Sequence, residues 1–359
     1  MSIVEYADRM LLHSKSNVVG VGKALKKVKG QKTSDESIMC IVEQKLPEHK
    51  VRKQDMIPKT INEVPTDVVQ GQKFKAFVGF DNHPISPLES VDTELPAEPG
   101  NSIGHIDITA GTFGALYRMD DKLVIHSNNH VLANANKGQR GDASLYPGVH
   151  DGGKYPENLL GHLEDFEEVK FINIDDVLES CQVAEKVAKF PNWMAKVFKR
   201  NTRLVPKKLL KESNLRAEDL LHILEQGNGD FPGNPMPANY LDGAIALPLN
   251  ETWVSPYIKL IGAPEGFGVA ELGMPIRKHG RTTDLTENEV TGVEFSMQVG
   301  FGDNLVALFE DQFLCEHPAE NPFGAPGDSG SSVLNGNIVV GTLFAGSDTM
   351  TIMNLSLIH

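Results

Sequence analysis

The 359-residue sequence predicts a mainly β protein with an α+β unit at its start and a helical insertion in its middle. Three observations carry this prediction. Apolar residues alternate in short runs, separated by Gly, Asn and Asp turn signals, through residues 101–165, 236–250 and 255–359. The three- and four-residue apolar spacing of a helix is confined to the opening residues and to about 166–226. The chain is also longer than one ordinary core, so two or three folding units are expected.

Taken in order, residues 1–90 form an accessory α+β unit. After an opening helix, residues 17–25 and 37–46 read as strands from their alternation and β-branched content, with 30–34 as a hairpin loop. Gly20 and Gly22 do not make a dinucleotide fingerprint, because Leu25 stands where the third glycine belongs and no βαβ unit follows. Pro84, Pro87, Pro96 and Pro99 mark a connector, and we set the linker at 91–100. Residues 101–165 and 236–250 make a first β unit. Between them, 177–190, 193–199 and 217–226 are spaced as helices, an insertion that a β core does not need. Its basic stretch, 186–211, alternates cations with Val187, Phe190, Trp193, Met194, Val197 and Phe198, as an amphipathic helix does. A solvated face over a packed face is the favoured reading, and contact with a membrane surface or an acidic partner the lesser one. Residues 227–237 read as a Gly/Pro-rich return loop. A second β unit follows, where Asn335-Gly336 between apolar runs signals a hairpin.

The chemistry concentrates in Gly327-Asp328-Ser329-Gly330. Flanking glycines let the backbone turn sharply and approach a bound carbonyl. The Gly327 and Ser329 N–H groups can then point at one spot, as an oxyanion hole requires. A serine nucleophile also needs a histidine base and a buried carboxylate, here expected in the order His, Asp, Ser. Residues 124–132 read as an apolar strand, a polar break capped by Ser127, and a helical turn carrying His130. His126 competes as base but falls within the strand, so His130 is preferred. Asp242 interrupts the apolar run Tyr240-Leu241-Asp242-Gly243-Ala244-Ile245-Ala246-Leu247, and an unpaired carboxylate there would be costly. A bond to an imidazolium relieves that cost and fixes the histidine tautomer.

Ser-Asn-Asn-His-Val-Leu-Ala, Leu-Asp-Gly-Ala-Ile-Ala and Gly-Asp-Ser-Gly-Ser together resemble trypsin-like serine peptidases, specifically bacterial relatives of the plant Narrow Leaf proteins. The loops at 146–153 (Tyr-Pro-Gly-Val-His-Asp-Gly-Gly) and 280–286 (Gly-Arg-Thr-Thr-Asp-Leu-Thr) fit the same subgroup, and the resemblance covers most of residues 101–350. It implies two six-stranded-type antiparallel barrels of the chymotrypsin kind in residues 101–359. It also implies a serine endopeptidase acting on protein or peptide substrates, with His130 as base, Asp242 as its orienter and Ser329 as nucleophile. Two departures from secreted trypsins stand out. No Ile-Val-Gly-Gly-like new N-terminus is visible to supply an ammonium for Asp328, so activation by simple N-terminal cleavage is not expected. Phe323, six residues before Ser329, is neither acidic nor small, so cleavage after Lys or Arg is not predicted. The runner-up is a catalytically silent fold of this kind that binds or scaffolds peptides. A latent enzyme released by a regulatory protein partner or by self-cleavage is a third reading.

Composition sets the remaining expectations. Cys40, Cys181 and Cys315 are odd in number and widely spaced, so they form no disulfide framework. Met1–Lys15 carries Glu5, Asp8 and Arg9 instead of an apolar core, so no signal peptide is expected. No run is long enough to span a bilayer, and a cytoplasmic location is expected. The formal charge of −14 argues against a nucleic-acid surface. No metal or cofactor is expected. Cys315-Glu316-His317 comes nearest to a ligand cluster and reads more simply as a strand residue, a solvent-facing acid and a loop histidine.

Overall fold

The computed structural model describes residues 3–12, 14–15, 17–28, 30–77, 92–108, 110–173, 178–179, 209–210, 237–302 and 305–355. The N-terminal unit opens with helix α1 (Ile3–Leu11), whose Ala7 and Leu11 are fully buried. It packs on the hairpin of β1 (Val18–Val28) and β2 (Gln31–Val42), which turns at Gly30 with φ +81°. Both strands run longer than their alternation suggests, since the loop expected at 30–34 tightens to the turn itself. Strands β3 (Thr60–Ile61) and β4 (Val64–Gln70) follow, with β4 parallel to β2. A short strand, β5 (Phe74–Ala76), ends the unit with Phe74 and Ala76 buried and Lys75 exposed, the two-residue period of a strand.

The connector packs against the first β unit: Ala97 is fully buried and its N–H donates to the Trp253 carbonyl at 2.7 Å. The first β unit comprises β6 (Ser102–His105), β7 (Gly111–Thr112), β8 (Ala115–Met119), β9 (Lys122–Ser127), the helical turn α2 (Asn129–Leu132), β10 (Ala143–Leu145) and β11 (Leu159–Phe166). Short pieces β12 (Ile172–Asn173), β13 (Leu178–Glu179), β14 (Leu209–Leu210) and β15 (Ala238–Asn239) lead to β16 (Ala244–Pro248). The curled sheet runs β7-β6-β10-β11-β16-β9-β8, every neighbour antiparallel. Phe113, Ile125, Leu132 and Ala246 fill its core. Inside the expected insertion, β13 and β14 pair antiparallel, so residues 178–179 are extended. The remainder of the helices expected at 177–190, 193–199 and 217–226, and nearly all of the return loop, lie outside the described residues.

The second β unit holds β17 (Gly266–Phe267), β18 (Pro275–Gly280), β19 (Asp284–Glu289), β20 (Gly292–Gly300), β21 (Leu305–Glu316), β22 (Ser332–Asn335), β23 (Ile338–Gly346) and β24 (Met350–Leu355). Its order is β19-β18-β22-β23-β24-β21-β20, and the β22–β23 hairpin forms where the sequence predicts one, with its turn one residue later, at Gly336-Asn337, because Asn335 pairs with Ile338. The protein is thus mainly β, with curled antiparallel sheets of the chymotrypsin-like kind. The sheet does not stop at β20. β1 pairs antiparallel with it, Gly20 opposite Met297 and Ala24 opposite Gly292, so the N-terminal hairpin extends the second unit.

Candidate active site

Antiparallel register brings the first two candidate residues together. Ala244 of β16 lies opposite Ser127 of β9, so the chain entering β16 runs beside the chain leaving β9. Asp242 and His130 therefore meet. His130 Nδ1 lies 2.5 Å from Asp242 Oδ2, and the His130 backbone N–H reaches Oδ1 at 3.3 Å. Both side chains are completely buried. Asn128 Nδ2 donates to the Asp242 carbonyl at 2.6 Å, and the Asp242 N–H donates to Asn354 Oδ1 at 3.1 Å, which fixes the loop from both units. His130 Nε2 is buried and has no hydrogen-bond partner among the described residues. Phe301 stands edge-on to the ring, 5.9 Å between centroids.

The competitor, His126, sits elsewhere. Its ring packs against Tyr117 at 5.3 Å, and its Nδ1 is sealed from solvent without a partner among the described residues. Burial pulls its pKa down to about 4. His126 and His130 stand four residues apart, the spacing at which a single helix would present two metal ligands. Here a strand carries the first and a helical turn the second. Among the described residues, no three His, Cys, Asp or Glu side chains converge on one point. The cap assigned to Ser127 is corrected as well. Its hydroxyl donates to the Thr112 carbonyl at 2.7 Å, drawn there because the serine is the last residue of β9 and faces inward.

Ser329 lies in the loop before β22. The loop backbone is pinned by the first β unit, since the Thr112 N–H donates to the Ser329 carbonyl at 2.7 Å and Thr112 Oγ1 donates to the Gly327 carbonyl at 3.0 Å. Gly330 has to be glycine. Its φ is +95°, and a Cβ there would sit 2.0 Å from Ser127 Oγ. The same contact shows that the Ser329 loop abuts the strand end that leads into the His130 turn. Ser329 is fully buried, and its Oγ donates to the Phe344 carbonyl at 3.1 Å.

The sequence offers no ammonium for Asp328, but the structure supplies Lys278. Its Nζ lies 3.5 Å from Asp328 Oδ2, with both side chains fully buried. Burial pulls the lysine below its usual range, and Asp328 opposes that shift. Asp328 also accepts from the N–H groups of Thr282, Thr283 and Ala325 and from Thr283 Oγ1, at 2.7 to 3.1 Å. The serine loop is therefore ordered by an internal cation. A second buried pair joins the two loops singled out at 146–153 and 280–286. Arg281 Nη2 and Nε grip the two Asp151 carboxylate oxygens at 2.5 and 3.0 Å.

One occupant of the site carries no sequence signal. β5 runs antiparallel to the end of β23, Ala76 opposite Ala345 and Lys75 opposite Gly346. The Phe77 N–H donates to the Phe344 carbonyl at 3.0 Å, and the Gly327 N–H donates to the Phe77 carbonyl at 3.1 Å. The Phe77 ring lies over Gly324 and Gly346 in the apolar cluster that contains Phe323.

No protein-family model matches the chain, and no curated protein matches it. Solved structures do. They include Cellulomonas bogoriensis chymotrypsin (12% identity, TM-score 0.34, covering 72% of this chain and 90% of that one). Thermobifida fusca protease A follows (11%, 0.37, 72% and 90%), as does the Nocardiopsis protease NAPase (12%, 0.37, 72% and 91%). At such scores the chain is described by its own strands, a mainly β fold of curled antiparallel sheets.

Proposed function

We propose that the chain is a serine endopeptidase that acts through an acyl-enzyme on Ser329, with His130 as base and Asp242 as its orienter. The observation that carries this reading is the buried His130–Asp242 pair, which holds the ring from its Nδ1 side as an orienting carboxylate does. In attack, Ser329 Oγ turns from the Phe344 carbonyl and gives its proton to Nε2. Asp242 holds the imidazolium, and the Gly327 and Ser329 amides hold the oxyanion. Lys278 keeps those amides in place through Asp328, without a newly cut N-terminus.

Residues 101–359 are the protease domain, 1–90 an accessory domain and 91–100 the linker. The subgroup is that of the bacterial relatives of the Narrow Leaf proteins. The substrates are proteins or peptides met in the cytoplasm, and a regulatory protein partner belongs to the same reading. The alternative is a silent peptide-binding module, and the serine bonded to a carbonyl instead of the imidazole is the observation in its favour.

Fluorophosphonate labelling separates the two without knowledge of the substrate. Ser329 is expected to label in the wild type or in a Phe77→Gly variant that empties the site, and Ser329→Ala is expected not to. A folded Phe77→Gly chain that stays unlabelled would establish the silent module.

A further inference from the structure

The segment ending at Phe77 has four features of a bound substrate. It is extended and adds to the edge of β23 as an antiparallel strand, which is how strand addition seats a peptide. Its Phe77 N–H is bonded to the Phe344 carbonyl, the group that also holds the Ser329 hydroxyl. Its Phe77 carbonyl accepts from the Gly327 amide, the donor assigned to the oxyanion. Its aromatic ring is buried between Gly324 and Gly346, where any larger residue at position 346 would strike the ring. A strand that merely filled a groove would need the ladder bonds. It would not need a carbonyl on the Gly327 amide and a side chain in a pocket beside the nucleophile.

We propose that the chain is its own substrate, cut by Ser329 between Phe77 and Val78, and that the pocket at Gly324 and Gly346 selects an aromatic residue on the acyl side of the cut bond. This rests on the serine-peptidase reading above and names its first substrate. Ser329 Oγ bonds to the Phe77 carbonyl carbon while its proton passes to His130 Nε2. The Phe77–Val78 C–N bond then breaks, and the proton on Nε2 goes to the departing Val78 amine. A water molecule deprotonated by Nε2 hydrolyses the ester, leaving a Phe77 carboxylate and a free Ser329 hydroxyl. The net reaction is chain plus water to residues 1–77 and 78–359. The new amine is not required by Asp328, because Lys278 already occupies that place. The cut therefore differs from activation that delivers an ammonium. The 1–77 piece stays attached through β1 on β20, with its carboxylate at the Gly327 amide.

The test is intact mass spectrometry on the purified full chain over time. Wild type is expected to resolve into 1–77 and 78–359, the second beginning Val78-Gly79-Phe80, at a rate unchanged by dilution. Ser329→Ala is expected to remain whole. Phe77→Tyr should still be cut, whereas Phe77→Asp should be cut about 100-fold more slowly or less, because the pocket must bury a charge. Folding of each variant is checked by circular dichroism, and the Tyr variant keeps the test decisive if the Asp variant misfolds. A wild-type chain that stays whole, or is cut elsewhere, while it labels with fluorophosphonate or hydrolyses a Lys-Ala-Phe anilide overturns the proposal and leaves the peptidase reading standing. A whole chain that neither labels nor hydrolyses, even as Phe77→Gly, overturns both.

Discussion

Asp242 shows no atom to water, and a carboxylate survives there only because His130 meets it through both a ring N–H and a backbone N–H. An asparagine can still accept from the backbone N–H but favours the wrong imidazole tautomer. Asp242→Asn should therefore keep its melting temperature to within a few degrees while turnover of a small ester falls by up to about ten-thousandfold. His126 gives a pH signature that is independent of catalysis. Its folded pKa of about 4 lies below the ordinary 6.5, so between those values the unfolded chain takes up a proton that the folded chain refuses. This contribution to stability is full above about pH 6.5 and is lost as the pH falls towards 4, by up to ~3 kcal/mol. His279 and His317 shift in the same direction through burial. The readout is therefore the difference: melts at pH 7 and pH 4.5 should be closer together in His126→Gln than in wild type, and equal spacing counts against the assignment. At this scale the sequence is informative where a role is local. Ser329 and Gly327 share one peptide, His130 lies in the turn that follows a readable strand, and Asp242 shortly precedes another. Lys278 is not legible, because a lysine in an alternating strand looks solvent-facing until the fold puts Asp328 beside it.

Loops, too, act across elements here. Thr112 pins the Ser329 loop from the first β unit, and Arg281 ties the loop after β18 to Asp151 in a pair with almost no solvent exposure. Removing one partner of such a pair strands the other charge. Arg281→Met should cost about 3 to 5 kcal/mol, seen as a lower urea midpoint with an unchanged m-value. Hairpins with turn chemistry, such as β22–β23, were legible from Asn335-Gly336 before the fold was known, although the turn itself is Gly336-Asn337. β5 was not. Three residues with one alternation carry too little period to be distinguished from loop, and what makes them a strand is pairing with β23 on one side and with β20 on the other. The Ser127 cap failed for the related reason that a hydroxyl takes whichever carbonyl tertiary packing brings nearest.

Across the whole molecule, the first residues complete the last sheet. β1 covers the edge of β20, and Val19, Met39 and Ile41 share one apolar cluster with Met297 and Phe309. A chain begun at residue 92 would leave the β20 edge unpaired and that cluster open. Such a fragment should elute as aggregate in size-exclusion chromatography with light scattering, and co-expression with residues 1–77 should restore a one-to-one complex. The sequence does not reveal this. A boundary rich in proline reads the same whether the segments it separates are independent or joined by hydrogen bonds made far away along the chain.

Because Phe77 is tethered to the unit whose Gly327 amide holds its carbonyl, its local concentration at the cleft is fixed by geometry and not by dilution. For a short tether that value is on the order of millimolar. An outside peptide must therefore match it, so a loosely bound one displaces little of the segment at cellular amounts and a tightly bound one displaces much. The tether thus acts as an affinity threshold: it sets the weakest peptide that can displace the segment.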